Sequence, residues 1–399
     1  MRIDTFSSIL RDTSAAFAAI GAEIDAAGVA PDFVFVATNV LHPAKAVRDA
    51  LAKLSVRAAH GASSCLGTMT DAGDATQDGA GIALFAISDP DGDYGTSFQH
   101  IGADARAAAQ AATQSALEAA DRSGEIPDVV WVTATPGQEE GVLAGIEDVI
   151  GTDVPIIGGS AADNSVSGDW YVLSSVEAGG AAVVVSVLFP STEVSFAYLN
   201  GYAPAGHQGT VTKVEGRKLI EIDHRPAMEV YDAWTDTVFD TPAEGDVRNI
   251  LSAATLWPLG RAVSEVQGIA HYLLAHPALA NGDGSMEMFA DLTEGETITQ
   301  MAGTSTALAE RAGRVARQAR PPAGRAIAGA LMVYCGGCML SIRDKMDIVL
   351  NGTEEALDGA PFLTHFSFGE QGKVVGGGNR HGNLMISCLV FSGTDRVGR

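Results

Sequence analysis

Basic residues and long apolar runs are both scarce in this sequence. Twenty-five Lys and Arg residues stand against 49 Asp and Glu residues, which gives a net charge of −24. A field of that sign repels phosphate backbones and anionic lipid surfaces, so neither nucleic acid nor membrane is an expected partner. The longest apolar stretch, residues 181–189, is far shorter than the ~20 residues of a membrane-spanning helix and predicts a buried strand.

Cysteine is equally scarce. The four cysteines, Cys65, Cys335, Cys338 and Cys388, are too few and too scattered for a disulfide framework, so reduced thiols are expected. Cys335 and Cys338 have the spacing of a redox or zinc pair, but no second pair completes a zinc site, and burial of two small thiols is the alternative to redox use. The N-terminus lacks the features of a secretory signal, and a cytoplasmic location is therefore expected.

What the sequence does have is globular composition, with 46% hydrophobic and 19% charged residues. A chain of 399 residues exceeds the size at which one core stops growing, and this predicts two domains. We place them at residues 1–223 and 224–399. The second contains an alternating segment, residues 285–303, that is typical of a hairpin.

One order of elements recurs three times along the chain. Gly61 follows Pro31 by 30 residues, and Gly158 follows Pro127 by 31, in each case across a strand, a helix and a second strand. A third copy begins at residue 330. Alanine-rich helices are predicted before each copy, at residues 13–27, 104–122 and 304–320, with Asp12 or Thr13 and Thr304 as N-caps. The predicted fold is α/β, with mixed sheets and helix layers built from three α-β-α-β-β repeats in two domains.

Several motifs occur in an informative order. They are VPIIGGSAADN at residues 154–164, VTKVEGRKLIEIDHRPAMEVYD at 211–232, VYCGGCMLSIRDKM at 333–346, FLTHFSFGEQG at 362–372 and NRHGNLMISCLVF at 379–391. Together they resemble the N-terminal and C-terminal domains of the FIST family of ligand-sensing proteins. The resemblance implies a stand-alone sensor that binds a small, amino-acid-like ligand and signals through a separate partner such as a histidine kinase. It also implies an alternative, because some stand-alone members are haem proteins that sense nitric oxide.

Small and polar residues follow the strand of the second copy. Ser160, Asp163 and Asn164 supply donors and acceptors beside two glycines that let a ligand approach the backbone. The alternative is a tight turn in which Asp163 and Asn164 bond their own backbone. Equivalent segments at residues 61–64 and 336–337 are expected to converge with this one.

The third copy adds four candidate ligand-binding residues. Glu370 and Arg343 can form a charged pair or hold the ammonium and carboxylate groups of a ligand, with solvated surface charge as the alternative. Cys338 and Asn379 complete the candidate set.

Three histidines are candidates for a haem ligand, because a neutral imidazole is the usual axial ligand. His365 lies in an aromatic strand, His381 in a glycine-rich loop, and His224 beside an Arg-Pro pair. A hydrogen-bonded or surface histidine is the alternative for each. Covalent haem attachment is excluded by the absence of CxxCH.

The last predicted helix contains a regular row of arginines. Four arginines are spaced by three along the last alanine-rich helix, where they complement the helix C-terminus or contact an acidic partner: Arg311, Arg314, Arg317 and Arg320.

No GxSxG, phosphate-loop, HExxH or GxGxxG motif is present, so an enzyme is not expected. A hydrolase that uses Ser160 or Cys335 as nucleophile is the second alternative.

Overall fold

The computed structural model describes residues 1–54, 56–76, 79–236, 239 and 241–393. Within these residues the chain forms nine α-helices, three six-stranded sheets and one nine-stranded sheet. In the same ranges, no helix combines the length and the apolar character that a membrane crossing requires.

The first part of the chain contains two helices. Its elements are β1 (Arg2–Ser8), α1 (Thr13–Ala27), β2 (Phe33–Thr38), α2 (Ala44–Leu51), β3 (Ala58–Ser63), β4 (Thr68–Thr70), β5 (Gly73–Asp74), β6 (Ile82–Ser88) and β7 (Asp93–His100). Helix α1 begins where the Asp12 side chain accepts a 2.7 Å hydrogen bond from the Ala15 amide, as its sequence predicts. It ends at Gly28, whose φ of 61° is left-handed.

The second part repeats this order of helices and strands. Its elements are α3 (Ala105–Ala119), β8 (Val129–Ala134), α4 (Glu139–Ile150), β9 (Ile156–Ser160), β10 (Val172–Ser174), β11 (Ala178–Gly179), β12 (Ala182–Phe189) and β13 (Val194–Asn200). The apolar run predicted to be a buried strand is β12, and seven of its eight residues are buried.

A mostly β segment follows. Its elements are β14 (Ala203–Glu215), β15 (Lys218–Ile222), β16 (Arg225–Pro226), α5 (Ala227–Trp234), β17 (Val247–Asn249), α6 (Leu251–Ala254), β18 (Leu259–Val266), β19 (Ile269–Ala275), β20 (Pro277–Asn281), β21 (Met286–Met288) and β22 (Thr297–Ala302). These strands form the nine-stranded sheet, whose core contains Met228, Tyr231 and Met286.

The last part returns to the earlier order. Its elements are α7 (Ser305–Gln318), β23 (Ile327–Cys335), α8 (Gly336–Ser341), a 3₁₀ turn (Arg343–Lys345), α9 (Met346–Ala356), β24 (Phe362–Ser367), β25 (Glu370–Lys373), β26 (Asn379–Gly382) and β27 (Met385–Ser392). Thr304 caps α7 by accepting a hydrogen bond from the Ala307 amide at 3.2 Å, which confirms the predicted N-cap.

The three six-stranded sheets share one arrangement. Their strand orders are β1-β6-β2-β3-β10-β11, β7-β12-β8-β9-β25-β26 and β13-β27-β23-β24-β4-β5. In each sheet the central pair is parallel, and the last two strands come from a different part of the chain. This exchange of hairpins links the three sheets to one another.

The inner faces of the three sheets meet in a shared core. Phe35 and Trp131 are fully buried there with ring centroids 5.1 Å apart, and Leu331 packs in the same cluster. The helices cover the opposite faces, which explains why the central strands are apolar on both sides. The predicted mixed α/β fold with helix layers is confirmed.

The predicted hairpin and the predicted domain boundary have different outcomes. The expected hairpin at residues 285–303 is wrong, because β21 pairs with β15 and β20 whereas β22 pairs with β14 and β18. The domain boundary near residue 223 stays a prediction. Strand β13, which precedes it, pairs with β27 near the end of the chain.

Candidate functional site

The ends of β3, β9 and β24 converge. The Ala162 amide donates to the Ser63 carbonyl at 2.9 Å, and the Phe368 amide donates to the Ser160 carbonyl at 3.2 Å. The expected convergence of the first two segments is therefore observed, but their glycines lie in strands instead of loops. The third partner is the end of β24 near Ser367. The predicted residues 336–337 begin helix α8 beside it, where a Cβ atom on Gly336 would lie 3.2 Å from the Ser367 carbonyl oxygen and 3.1 Å from Cβ of Cys65.

A buried polar cluster lies beside this convergence, at the start of α8. We call Cys335, Cys338, Ser367 and Glu370 the dithiol cluster. Oε1 of Glu370 accepts a hydrogen bond from Ser367 Oγ at 2.6 Å, and Oε2 accepts one from the Met385 amide at 2.9 Å. Burial raises the pKa of Glu370 well above its usual range, and the neighbouring Cys335 acts in the same direction.

The two thiols of this cluster face each other. A hydrogen bond to Cys338, together with burial, raises the pKa of Cys335 well above its usual range. Cys338 also lies 3.5 Å from the Tyr202 hydroxyl, which donates to the Thr255 carbonyl at 2.8 Å. These contacts join the dithiol cluster to the nine-stranded sheet.

A small cavity of about 90 Å³ opens beside the dithiol cluster, where three parts of the chain meet. We call it the junction cavity. His276 in its wall donates from Nε2 to the Leu251 carbonyl at 2.9 Å, and burial lowers its pKa to about 4, so the ring is neutral. The walls are mainly apolar and include Val166, Thr255, His276, Phe289, Cys335 and Phe368.

A larger pocket of about 190 Å³ lies on the other side of α8. We call it the Arg343 pocket. Its walls include Leu66, Asp74, Met339, Arg343, Met346 and Asp347. Partial burial raises the pKa of Asp74, although the nearby Arg343 guanidinium acts in the opposite direction. In the described part of the chain, the Arg343 side chain has no hydrogen bond or ion pair. The pocket therefore combines one unpaired cation, two carboxylates and an apolar wall.

The predicted pairing of Glu370 with Arg343 is wrong. Glu370 is fully buried and bonds to Ser367 and Met385, whereas Arg343 is exposed at the mouth of its own pocket. The acidic groups beside Arg343 are Asp74 and Asp347. Spacing alone gave no signal for Asp74, which precedes Arg343 by 269 residues and reaches it only through the β4–β5 hairpin.

Ser160 belongs to a different buried network. Its hydroxyl donates to Glu139 at 2.9 Å and accepts from Gln371 at 3.3 Å. Burial alone would raise the pKa of Glu139, but the charges of His381 and Arg217 outweigh burial and lower it. Ser160 itself is fully buried. It holds strands together in this structure and is not open to a ligand.

Asp163, but not Asn164, adopts the turn geometry that was the alternative to ligand binding. Asp163 accepts hydrogen bonds from the amides of residues 165–169, which lowers its pKa despite its burial. Asn164 Oδ1 accepts from the Leu66 amide at 2.9 Å and from Asn39 Nδ2 at 2.7 Å. Both side chains shape the loop that carries Val166 to the junction cavity.

Asn379 is also structural. Its Oδ1 accepts from the Ile156 amide at 2.9 Å, and its Nδ2 donates to the Val154 carbonyl at 3.0 Å. These bonds fasten the β25–β26 hairpin to the second sheet.

The three candidate haem ligands lie in three separate places. His365 is fully buried, with Nε2 3.0 Å from the Ser63 carbonyl and a pKa lowered by burial to about 4. His381 lies between Gln371 and the Phe289 carbonyl. His224 is exposed in a turn with a φ of 60°. Two of the rings are thus held by hydrogen bonds, as the alternative interpretation expected.

Sequence reasoning missed several residues of these sites. Among these, His276 and Phe289 come from the nine-stranded sheet and line the junction cavity, while Asp347 follows Arg343 by four residues. Only Asp347 had a signal in the sequence, since positions four apart lie on one side of a helical turn.

The fold and its pockets define a class, a mixed α/β protein with two pockets beside one short helix. Two family models match the chain. The FIST N domain model matches residues 32–225, and the FIST C domain model matches residues 227–373. The chain belongs to the FIST family, whose domains are associated with small-ligand sensing in signal transduction.

Two individual likenesses are weaker. An uncharacterised protein of Methanocaldococcus jannaschii is 33% identical over 88 residues, which are 22% of this chain and 17% of that protein. The match therefore spans less than a fifth of that protein. The crystal structure of cyanuric acid hydrolase from A. caulinodans aligns over 98% of this chain and 99% of its own, with 9% identity and a TM-score of 0.37, too low to support any inference.

Proposed function

We propose that this protein is a cytoplasmic sensor that binds an amino-acid-like ligand in the Arg343 pocket and signals through a separate partner such as a histidine kinase. The proposal rests on the surroundings of the Arg343 side chain. Its guanidinium has no partner within the described residues, while the carboxylates of Asp74 and Asp347 line the same pocket.

These groups match the chemistry of an amino acid. A guanidinium binds a carboxylate through two parallel hydrogen bonds, and carboxylates accept hydrogen bonds from an ammonium group. The remaining wall contains Met339 and Met346, whose flexible thioethers adapt to apolar side chains of different shape. A small apolar amino acid is therefore the ligand class that we expect.

The position of the pocket supports a signalling role. Asp74 lies on the β4–β5 hairpin, which comes from the first part of the chain, whereas Arg343 and Asp347 belong to the α8–α9 region. A ligand that contacts both groups ties the hairpin to α9. Binding energy is then available to favour one arrangement of these elements, which is the requirement for any ligand-driven change.

Thermal-shift measurements with the twenty standard amino acids test the proposal. A ligand at 100 times its Kd stabilises the protein by about 2.7 kcal/mol, which raises the melting temperature measurably. The shift should be lost in Arg343→Gln and reduced in Asp347→Asn. Arg317→Gln is the matched control, because Arg317 is an exposed arginine of α7 paired with Glu355. The proposal is contradicted if none of the twenty amino acids raises the melting temperature, or if the wild type and Arg343→Gln show equal increases.

Haem-based sensing of nitric oxide is less well supported. Two of the candidate histidines are buried in hydrogen-bonded positions, and the exposed His224 lies apart from both cavities described above. Absorption spectra after addition of haem test this alternative directly. A Soret band that is lost on replacement of His365, His381 or His224 would favour it over amino-acid binding.

A hydrolase is also less well supported. Nucleophilic attack requires access and activation, but Ser160 is fully buried and the pKa of Cys335 is raised, which disfavours the thiolate. A hydrolase screen with Ser160→Ala and Cys335→Ala as controls tests this alternative. Turnover that either substitution abolishes would support it.

A further inference from the structure

The three arginines of α7 and Arg320, two residues beyond its end, differ in their partners. Three of them pair with carboxylates of this chain, so an acidic partner protein is not needed to balance their charge. The pairs are Arg314 with Glu310, Arg317 with Glu355 and Arg320 with Asp358. Arg311 is the exception, since it forms no hydrogen bond or ion pair with any residue that the structure describes.

The unpaired Arg311 is also partly buried. Its Nε has almost no contact with solvent and no acceptor. Burial and the neighbouring charge of Arg314 lower its pKa. Its stem packs over Gly201, where a Cβ atom would lie 3.4 Å from both Cβ and Cγ of Arg311. Burying part of a guanidinium without an acceptor is costly, and a bound anion would relieve that cost.

Arg311 faces a groove of about 680 Å³ between α7, the β13–β14 connection and β19. We call it the Arg311 groove. Its walls include Asn200, Tyr202, Pro204, Tyr272, Arg311 and Arg314. The ring of Tyr202 is fixed because its hydroxyl donates to the Thr255 carbonyl at 2.8 Å, and Asn200 is fixed by a 2.7 Å bond to the Tyr272 carbonyl. The groove thus presents positive charge next to aromatic surface in a strongly acidic protein.

We propose that the Arg311 groove binds a small oxyanion, a carboxylate or a phosphate, carried on a planar ring. The guanidinium of Arg311, which has no acceptor among the described residues, supplies a charge-assisted hydrogen bond to the oxyanion. Tyr202 and Tyr272 supply ring surfaces against which a planar body stacks. The groove and the Arg343 pocket have no lining residue in common, so this site does not depend on the proposed function.

Calorimetric titration of the full chain with benzoate, phenyl phosphate and inorganic phosphate tests the site. We expect saturable binding of benzoate or phenyl phosphate, and the tighter of the two identifies the oxyanion. Arg311→Gln should weaken it at least about tenfold, since a hydrogen bond to a charged group contributes about 1.5–3 kcal/mol. Arg317→Gln, on the same helix, is the matched control and should bind within about twofold of the wild type.

A second measurement uses the wild-type protein and therefore does not depend on the folding of Arg311→Gln. The ¹⁵N resonance of Arg311 Nε in the wild-type protein should shift on titration with the bound probe, while that of Arg317 stays in place. Absence of saturable binding by all three probes would overturn the proposal, as would undiminished binding by a folded Arg311→Gln protein. Binding of an oligo-glutamate peptide in their place would overturn it in favour of an acidic protein segment.

Discussion

The guanidinium of Arg217 lies 2.7 Å from the carboxylate of Glu139, which is almost completely buried in the first turn of α4. Arg217 follows β14 and thus belongs to the nine-stranded sheet, whereas α4 covers the second six-stranded sheet. Glu139 in turn accepts a hydrogen bond from the Ser160 hydroxyl at 2.9 Å. One ion pair therefore connects the nine-stranded sheet to the place where the three other sheets converge.

Removal of Arg217 should destabilise the protein strongly. Arg217→Met leaves Glu139 buried without its cation, and the loss of one partner of a buried pair costs about 3–5 kcal/mol. Urea unfolding measures the difference in the free energy of unfolding. Arg314→Met is the control, because its pair with Glu310 is exposed and contributes no more than about 0.5 kcal/mol. Equal effects of the two substitutions would show that the Arg217 contact is not buried as described.

The same pair predicts a pH dependence. His381 and Arg217 hold the pKa of Glu139 below its ordinary value of 4.5, although burial acts against them. A carboxylate with a lowered pKa stabilises the fold above its ordinary pKa and loses this contribution as the pH falls through the folded pKa. The advantage of wild type over Glu139→Gln in unfolding free energy should shrink below about pH 4.5. A difference independent of pH would contradict this assignment.

Much of the architecture could be predicted from the sequence because local rules govern it. The runs around Phe35 and Trp131 are apolar on both faces, as central strands require, and the N-caps at Asp12 and Thr304 mark true helix starts. The exchange of the β4–β5, β10–β11 and β25–β26 hairpins between sheets could not be predicted. Those strands are two to four residues long, and their partners lie far away in the chain.

Gly158 should be intolerant of any side chain. It lies in β9 beside β8, and an added Cβ atom would overlap the carbonyl oxygen of Val132. Gly158→Ala is expected to lower the free energy of unfolding by roughly 1–3 kcal/mol or to prevent folding. Gly102→Ala is the control, since nothing lies within 4 Å of its added Cβ. If Gly158→Ala leaves the free energy of unfolding unchanged, steric overlap does not explain this glycine, and close approach of a ligand to the backbone would be the remaining explanation.

Glu370 should stay protonated to a higher pH than an ordinary carboxyl group. Infrared difference spectra of wild type and Glu370→Gln, recorded over a pH series, should show a protonated carboxyl band that the variant lacks and that persists above about pH 4.5. A raised pKa stabilises the fold below the ordinary carboxyl pKa and loses this contribution as the pH rises toward the folded pKa. Wild type should therefore lose stability relative to Glu370→Gln as the pH rises above about 4.5. Loss of the protonated band at or below that pH would contradict the assignment.

The candidate site was less predictable than the fold. The sequence identified Arg343, yet it paired this residue with Glu370, because both are charged and lie in adjoining motifs. Their backbone positions send them to different surroundings, one open and one fully buried. The true neighbour Asp74 lies on a hairpin that reaches the pocket only by pairing with β24. The contact between Asp74 and the Arg343 pocket depends on tertiary structure, so no local sequence pattern indicates it.

The most direct test of the account is calorimetric titration of a single amino acid, leucine or methionine, and of its decarboxylated amine, into wild type and Arg343→Gln. If the Arg343 pocket binds the α-carboxylate, the amino acid binds wild type at least about tenfold more tightly than it binds the variant. The amine, which has no carboxylate, then binds both proteins with the same weaker affinity. Equal binding of the amino acid to wild type and variant, or no binding to either protein, would contradict the account.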